Sequence, residues 1–302
     1  MIQFLTKMDE TMTKDYQKRM QGKTVLVTGS SRGIGFYTAK GLAEMGAHVI
    51  VTSHNEAHCQ NAVENIHSTA GEESARYIVA DLSVQDEVRG LAEKIKGEYQ
   101  RLDVLVNNVG TWSASHEESA DGIELTFALN HLSYFLLTGL LLELLQESAP
   151  SRIVNVASDA HHGVDRIRFE DIGFEENYRP FRVYAQSKLA NIMFTYELAS
   201  RLEGTGVSAN VLHPGSVASK LYRDFGILEP LILFWIRLTG KTSEEGAETP
   251  IYLASSPEVD NVIGKYFADK QQKRSSEASY DREAWKRLWQ LSEKMTGLTY
   301  PI

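Results

Sequence analysis

The chain has 302 residues, of which 42% are apolar and 24% charged, enough for one large domain with a buried core. Its 40 acidic residues outnumber its 31 basic residues, and the net charge of −9 argues against a nucleic-acid-binding surface. The single cysteine, Cys59, excludes an internal disulfide and indicates a reducing compartment. We therefore expect an acidic, cytoplasmic protein.

Two segments of the chain bear on targeting and on membrane insertion. Residues 1–21 have only a short apolar patch before charges begin, too short for the apolar region of a signal peptide, and we interpret them as a leader with helical potential. The longest apolar stretch, residues 227–238, contains Glu229, Pro230 and Arg237 and is shorter than the ~20 residues of a spanning helix. The sequence predicts no transmembrane segment.

Short apolar strands alternate with helical stretches along the chain. The first strand runs from Thr24 to Gly29, and the helical stretch behind it closes on Gly46. Five more strands are predicted at HVIVTS, ARYIVADLS, LDVLVNNVG, SRIVNVAS and VSANVLHPG. Such strands, separated by helices, are typical of a parallel sheet covered on both faces. The predicted fold is therefore α/β, a doubly wound parallel sheet (Rossmann fold) with ligands beyond the carboxyl ends of its strands.

The glycine turn TGSSRGIG connects the first strand to the first helix. Gly29 permits a tight turn, Gly33 lets the backbone approach a pyrophosphate, and Gly35 lets the helix pack closely on the sheet. The phosphate would lie at the helix N-terminus. An ordinary strand-to-helix turn is the alternative, and the position of the motif on the first strand of an alternating chain favours a nucleotide site.

Four motifs together carry a family resemblance. In their order and spacing, TGSSRGIG, NNVG, YAQSK and HPG resemble the short-chain dehydrogenase/reductase family over residues 22–267. Within it, SRIVNVAS, SKLANIMFTYELASRLEGTGV and HPG are similar to the retinol-dehydrogenase-like branch. The resemblance implies a nicotinamide-dependent enzyme acting on CH–OH groups. We predict a single dehydrogenase domain at 22–267, between the leader and a C-terminal extension at 268–302.

Tyr184 and Lys188 are the predicted centre of the chemistry. They are four positions apart in a helical stretch and so share one face. A nearby ammonium favours the phenolate, which makes the tyrosine usable as an acid or base near neutral pH. The resemblance implies that Ser158 holds the substrate oxygen and that Asn130 supports a water-linked proton path towards Lys188. A surface helix pair is the alternative for Tyr184 and Lys188 alone.

The end of the second strand bears on the choice of nucleotide. An acid there would hydrogen-bond the 2′-hydroxyl of NAD and repel the 2′-phosphate of NADP, and the sequence TSHN has none. Arg32 matches a basic position often found in NADP-using members of the family. With Ser53, His54 and Asn55 it would form a neutral-to-basic cradle, so we predict a preference for NADP(H), with NAD(H) as the alternative.

Further cofactor contacts follow from the resemblance. Asp81 is similar to the acceptor of the adenine amine, and its alternative role is a turn acid or a helix N-cap. Leu82 would flank the adenine, and Ser219 would contact the phosphates. The remaining predicted contacts are Ser31, Ile34, Asn108, Gly110, Tyr184, Lys188, Pro214 and Gly215.

Two variable segments should shape the substrate site. The long loop between Ser158 and Tyr184 should flank the substrate, as in the retinol-dehydrogenase-like branch. Residues 221–241 are rich in apolar side chains and predict a lid with an apolar underside, which implies a hydrophobic alcohol or carbonyl substrate. A membrane patch or a subunit interface at 227–238 is the alternative.

Two adjacent histidines, His161 and His162, do not predict a metal site, because they should point in different directions with no acid or cysteine at ligand spacing.

The leading hypothesis for function is an NADP(H)-dependent oxidoreductase that interconverts a hydrophobic alcohol and its carbonyl. The alternative is a non-catalytic nucleotide-binding sensor or scaffold of the same fold, which the presence of all four catalytic positions disfavours. Peripheral membrane contact and homo-oligomer formation stay open.

Overall fold

A computed structural model describes residues 18–215 and 241–302. The predicted leader is thus described only at residues 18–21, and the predicted lid only at Lys241. Ser219 and the apolar stretch 227–238 lie outside the described residues.

One eight-stranded sheet forms the centre of the fold. Its strands are β1 Thr24–Thr28, β2 His48–Ser53, β3 Ala75–Val79, β4 Val104–Asn107, β5 Ser151–Val156, β6 Val207–His213, β7 Tyr266–Ala268 and β8 Gln271–Lys273. The spatial order is β3-β2-β1-β4-β5-β6-β7-β8. Every neighbouring pair is parallel except β7 and β8, which are antiparallel. The predicted doubly wound parallel sheet is confirmed, with two strands added, the parallel β7 and the antiparallel edge strand β8.

Helices cover both faces of the sheet. They are α1 Gly33–Glu44, α2 Glu56–Ala70, α3 Gln85–Glu98, α4 Leu125–Glu147, α5 Pro180–Arg201, α6 Ser243–Ser255 and α7 Arg282–Thr296. A wider π turn at Ala128–Leu132 interrupts α4. Short 3₁₀ turns occur at Asp159–Gly163, Pro257–Val259 and Glu277–Tyr280.

Strand β1 is buried along its whole length because each side of the sheet faces a separate core. In β1, Leu26 packs into the core under α3, α4 and α5, whereas Val25 and Val27 pack into the core under α1, α2 and α6. Successive side chains of a strand point to opposite faces, so burial on both faces requires a continuous apolar run. The sequence pattern and the layer arrangement therefore have one cause.

The C-terminal segment packs on the sheet domain. On α7, Trp289 is buried against Phe135 of α4, with ring centroids 5.1 Å apart, and against Tyr300, at 4.5 Å. The Arg201 guanidinium lies over the Trp289 ring at 4.2 Å. The segment thereby completes the core on the α5 side, and the division of the chain at residue 267 stays a prediction.

By length and apolar composition α4 could cross a membrane. Within the fold, however, 78% of its most apolar window is buried. Its leucines fill the core between the sheet, α3 and α5. We therefore interpret α4 as a core helix.

The two central strands are joined at their amino ends by a buried carboxylate. Asp103, 2% exposed, accepts hydrogen bonds from Lys23 Nζ at 2.8 Å and from the backbone N–H of Thr24 at 2.9 Å, and it also pairs with Arg101. Burial alone would raise the pKa of Asp103, but these donors outweigh it and lower the pKa. The carboxylate is thus held in its charged form.

We expect Asp103→Asn to lower the free energy of unfolding by about 2–4 kcal/mol at neutral pH, because charge-assisted hydrogen bonds to a buried group are lost. Since the folded-state pKa is lowered, the difference from the wild type should shrink as pH falls below ~4. Urea titrations at several pH values measure this. Glu73→Gln, which breaks the exposed pair with Arg76, is the matched control and should change little. Equal effects of the two substitutions would contradict the structural role of Asp103.

Candidate active site

The glycine turn follows β1 on the side of the sheet where the parallel strands have their carboxyl ends. A Cβ on Gly29 would lie 2.9 Å from Val109 Cα, and one on Gly35 would lie 2.5 Å from Asn108 Nδ2. Both glycines are therefore needed for close packing. At Gly33, φ is +61° and nothing lies within 4 Å of a Cβ position. The turn is tight where it contacts the sheet and open at Gly33, as a backbone that approaches a pyrophosphate requires.

Thr28 closes the contact between the ends of β1 and β4. Its Oγ1 accepts hydrogen bonds from the backbone N–H groups of Asn108, at 2.8 Å, and Val109, at 3.0 Å. Asn108 Nδ2 in turn donates to Thr28 O at 2.7 Å. These strands border the point where the strand order reverses, the usual ligand crevice of this fold. The sequence analysis did not single out Thr28, although it directly precedes the first glycine.

The end of β2 carries the predicted nucleotide cradle. Arg32 and His54 are exposed, whereas Ser53 and Asn55 are half-buried. Asn55 caps α2, its Oδ1 accepting from His58 N at 2.9 Å. Arg32 itself lies in the glycine turn, which is joined to β2 because Ser30 N donates to Thr52 O at 3.1 Å. A guanidinium and a helix N-terminus both favour an anion.

The acid nearest to this cradle in sequence is Glu56, the first residue of α2. Its carboxylate accepts a hydrogen bond from Tyr77 OH of β3 at 3.4 Å, and Tyr77 OH accepts one from Gln60 at 3.2 Å. Glu56 is therefore engaged by Tyr77 of β3, which is itself held by Gln60 of α2.

Asp81 and Leu82 follow β3. Asp81 Oδ1 accepts from Ser83 N at 2.9 Å and from Ser83 Oγ at 2.7 Å, which makes Asp81 a turn acid. Leu82 is buried in the core beneath α3 and α4. The turn role was the alternative weighed for Asp81, and its Oδ1 is occupied by it.

Tyr184 and Lys188 both lie on α5, one turn apart. Lys188 Nζ is 5.6 Å from the centroid of the Tyr184 ring and donates to Val156 O, at the end of β5, at 3.2 Å. The residue is 3% exposed, and burial lowers the pKa of Lys188 to about 7. A buried amine with a pKa near neutrality can change its charge within the working pH range.

Asn130 lies in the π turn of α4 and is fully buried. Its amide pairs with the backbone of Thr111, Oδ1 accepting from Thr111 N at 2.7 Å and Nδ2 donating to Thr111 O at 2.9 Å. Nδ2 also donates to Ser187 Oγ at 2.9 Å. A Cβ on Gly110 would be 3.3 Å from both Asn130 Oδ1 and Lys188 Nζ. Asn130, Gly110 and Lys188 therefore border one small space.

Ser158 follows β5 and caps the 3₁₀ turn Asp159–Gly163, its Oγ accepting from Ala160 N at 3.2 Å. That turn packs on α5, because a Cβ on Gly163 would lie 3.5 Å from Ala185 Cβ. Ala185 is the neighbour of Tyr184 in the chain. The fold thus brings the elements that carry Ser158 and Tyr184 into contact.

Tyr134 is a site residue that the sequence analysis missed. Its OH donates to Val109 O at 2.8 Å and lies 3.3 Å from Val156 O, the carbonyl that Lys188 Nζ also contacts. Tyr134 thereby links the ends of β4 and β5, and its ring centroid is 5.8 Å from Lys188 Nζ. Its position four residues after Asn130, on the same face of α4, was the available signal.

The two histidines lie closer to an acid than the sequence analysis expected. Ligand atoms of Asp159, His161 and His162 fall within 4.8 Å of one another, so the expectation that no acid lies at ligand spacing is wrong. Nevertheless, His161 Nδ1 donates to Ser158 O at 2.7 Å and Nε2 accepts from Ser276 N at 3.0 Å. Burial lowers the pKa of His161 to about 4. Both ring nitrogens of His161 thus form hydrogen bonds. We interpret His161 as a neutral residue that stabilises the turn after Ser158.

The HPG motif ends β6 at the same edge of the sheet, where the parallel strands have their carboxyl ends. His213 Nδ1 accepts from Gly215 N at 3.1 Å, which fixes the turn at Pro214. Gly215 has φ +92°, and a Cβ there would lie 2.9 Å from Lys241 Cδ. The glycine therefore makes room for Lys241, which forms an ion pair with Asp269.

Comparison with known proteins assigns the family. The sequence model described as short chain dehydrogenase matches residues 23–226. Retinol dehydrogenase 14 of Homo sapiens is 42% identical over 295 residues, covering 92% of this chain and 88% of that protein. Retinol dehydrogenase 13 of Homo sapiens is 39% identical over 290 residues, covering 93% and 86%. The chain belongs to the short-chain dehydrogenase family, in its retinol-dehydrogenase-like branch, and is an NAD(P)-dependent oxidoreductase acting on CH–OH groups.

Solved structures agree with the fold. A putative uncharacterized protein from Mycobacterium Paratuberculosis is 29% identical with a TM-score of 0.76, covering 93% of this chain and 96% of that one. The Pseudomonas aeruginosa RhlG/NADP active-site complex is 29% identical with a TM-score of 0.67, covering 83% and 96%. The predicted family and fold are confirmed.

Proposed function

We propose that the protein is an NADP(H)-dependent oxidoreductase that interconverts a hydrophobic alcohol and its carbonyl, with Tyr184 as the acid and base. The observation that carries this proposal is the buried amine of Lys188, 5.6 Å from the Tyr184 ring and facing the same small space as Asn130. Among the described residues, no carboxylate pairs with the buried Lys188 amine, and such a group is hard to explain by stability alone.

Each side chain has a defined task in this mechanism. When bound, the dinucleotide supplies the hydride donor or acceptor. Tyr184 OH donates a proton to the carbonyl oxygen during reduction and removes one from the alcohol during oxidation. Ser158 Oγ donates a hydrogen bond to the same oxygen, and the Lys188 ammonium favours the phenolate. Asn130 supports the proton path by holding the backbone of Thr111 beside Lys188.

The glycine turn fits a dinucleotide, because Gly33 leaves its backbone open where the N-terminus of α1 begins. In this proposal Ser31, Arg32 and Ile34 contact the phosphates, while Leu82 and the remaining oxygen of Asp81 receive the adenine. Asn108, Gly110, Lys188, Pro214 and Gly215 border the ribose and nicotinamide. Ser219 would add a phosphate contact.

The preference for NADP(H) rests on charge. Arg32 is exposed at the N-cap of α1, in the turn that Ser30 N joins to Thr52 O of β2, and Glu56 is engaged by Tyr77. A 2′-phosphate would find a guanidinium and helix N–H groups there, whereas the 2′-hydroxyl of NAD(H) would find no acidic partner at the end of β2.

We expect Arg32→Ala to weaken NADPH binding by about 10–100-fold and to leave NADH binding nearly unchanged, because one charge-assisted contact to the 2′-phosphate is lost. Fluorescence titration with both cofactors measures this. Lys40→Ala, at a basic residue of α1 that pairs with Glu44, is the control. An unchanged NADPH affinity in Arg32→Ala, or tighter NADH binding by the wild type, would contradict the assignment.

The reaction itself is tested by titrating the cofactor and then screening lipophilic alcohols and aldehydes, monitored at the absorbance of the reduced nicotinamide. Cofactor binding without turnover of any substrate would favour the sensor or scaffold alternative. The cytoplasmic location stays part of the proposal, as do homo-oligomer formation and membrane contact.

A further inference from the structure

Behind the candidate active site lies a fully buried histidine that the proposed mechanism does not use. His131 follows Asn130 in the π turn of α4. Its Nε2 lies 2.9 Å from Ser292 Oγ of α7, and Ser292 Oγ itself donates to Leu288 O at 2.8 Å. A hydroxyl has one proton to donate, so Ser292 accepts the bond from His131. We call this bond between the π turn and the C-terminal helix the α7 anchor.

The ring of His131 is neutral and has apolar neighbours. Burial lowers the pKa of His131 to about 3, against a smaller opposing effect of Asn191 on α5. The ring centroid is 4.9 Å from that of Phe127, just before the π turn, and 6.1 Å from that of Phe194 on α5. Such surroundings favour an apolar side chain, because a buried polar group costs free energy unless it is hydrogen-bonded. Packing alone therefore does not explain a histidine here, whereas the bond to Ser292 does.

The shape of the π turn decides where the side chain of Asn130 points. The backbone N–H of Ser133 donates to Ala128 O, five residues earlier, so the turn is wider than a regular α-helical turn. A return to α-helical bonding would shift the register by one residue, which rotates a side chain by about 100° around the helix axis. Asn130 would then leave the backbone of Thr111 and the space that it shares with Lys188. A bond that holds the π turn therefore acts on the site.

We infer that His131 is a positioning residue for the proposed reaction: through the α7 anchor it holds the π turn, and so keeps Asn130 beside Lys188. The C-terminal segment thereby shapes the active site from behind, although none of the motifs that carry the family resemblance lies in it. This inference rests on the proposed function, because the position of Asn130 matters for turnover only if Asn130 supports the proton path. His131 and Ser292 are both fully buried and act through Asn130.

The effect of the anchor on turnover should be separable from its effect on stability. In the double variant His131→Phe, Ser292→Ala both polar partners become apolar, so Tm should stay within about 5 °C of the wild type. With NADP⁺ and farnesol as the alcohol, kcat should fall by about 10–100-fold, because a group beside the reacting atoms is misplaced. The Kd of NADPH and the KM of farnesol should change less than about threefold.

Two further variants give the rescue and the control. In His131→Gln the side-chain amide can donate to Ser292 Oγ in place of the ring, and most of the wild-type kcat should return. Ser255→Ala removes another buried helical serine, whose Oγ donates to Ile251 O on α6 at 2.8 Å. The kcat of Ser255→Ala should equal that of the wild type. A double variant that keeps its kcat within about threefold of the wild type would overturn the inference, as would an equal loss in His131→Gln.

A double-mutant cycle tests whether His131 acts through Asn130. In an Asn130→Ala background, His131→Phe should cause no further loss of kcat, because the group that it positions is already absent. Losses that multiply independently would contradict a positioning role.

Amide hydrogen exchange tests the anchor without turnover. The double variant should speed exchange of the backbone N–H groups at 128–133 by at least about tenfold and leave exchange at 243–255 unchanged, measured by mass spectrometry. If exchange changes in this way while the wild type oxidises no alcohol, the anchor stands and the proposed reaction falls. If the wild type oxidises farnesol and exchange at the π turn is unaffected, the reaction stands and the anchor falls.

Discussion

Tyr184→Phe should lower kcat by about 10²–10⁴-fold in either direction, the range that general acid–base catalysis contributes. The substitution removes one oxygen and keeps the ring that contacts Trp112 and faces the Lys188 amine. Cofactor affinity should therefore stay within a few-fold of the wild type. Initial rates at the absorbance of the reduced nicotinamide, together with cofactor titration, measure both quantities.

Tyr252→Phe is the control for this loss of a phenol. Tyr252 lies on α6, on the opposite side of the sheet from α5, and its OH donates to Glu258 at 2.9 Å. Its kcat should equal that of the wild type. A Tyr184→Phe enzyme that keeps more than about a tenth of the wild-type kcat would contradict the role of Tyr184.

Lys188→Met should have opposite effects on activity and stability. We expect kcat to fall, because the phenolate of Tyr184 loses the cation that favours it. We expect the free energy of unfolding without cofactor to rise by on the order of 2 kcal/mol at about pH 6, because the variant no longer buries an ammonium group. Gains in stability on replacing a functional group are a known trade-off at active sites.

The stability difference between the wild type and Lys188→Met should depend on pH, with a sign set by the lowered pKa of Lys188. Burial lowers the pKa of Lys188 to about 7 from the ordinary value of 10.5. Between these two values the unfolded chain holds a proton that the folded chain has lost. Wild-type stability relative to Lys188→Met should therefore rise with pH in this window, by up to about 1 kcal/mol per pH unit, and be flat below it.

Urea titrations of both proteins across this pH range measure the slope. Lys265→Met, at an exposed position before β7, is the control and should follow the wild type. A wild type that is more stable than Lys188→Met at about pH 6, or a parallel pH dependence of the two, would contradict the burial of a titrating amine.

Local sequence patterns predicted most of the sheet. Burial on both faces gives β1 an uninterrupted apolar run, and close packing requires glycine at Gly29 and Gly35. Both features can therefore be recognised in a short stretch of sequence. Strand β8 has no such pattern, because its three residues, QQK, are exposed and pair only with β7. Edge pairing is decided by the neighbouring strand and not by side-chain pattern.

The contacts that assemble the site come from positions far apart in the chain. Thr28 meets Asn108, and His131 meets Ser292, through hydrogen bonds that no local spacing encodes. Asp159, in contrast, is close to His161 and His162 in sequence, and the 3₁₀ turn brings its carboxylate near both rings. Residue type and motif order predicted Tyr184 and the groups around it. The residues that hold these groups in place could be identified only from the folded structure.

The central claim is that the Tyr184 site transfers hydride between an alcohol and a nicotinamide. The most direct test incubates the protein with NADP⁺ and farnesol deuterated at its carbinol carbon, and then measures label in the reduced cofactor by mass spectrometry. The account predicts deuterium in NADPH with the wild type and none above background with Tyr184→Phe. Absence of label with the wild type, or equal label with both proteins, would contradict it.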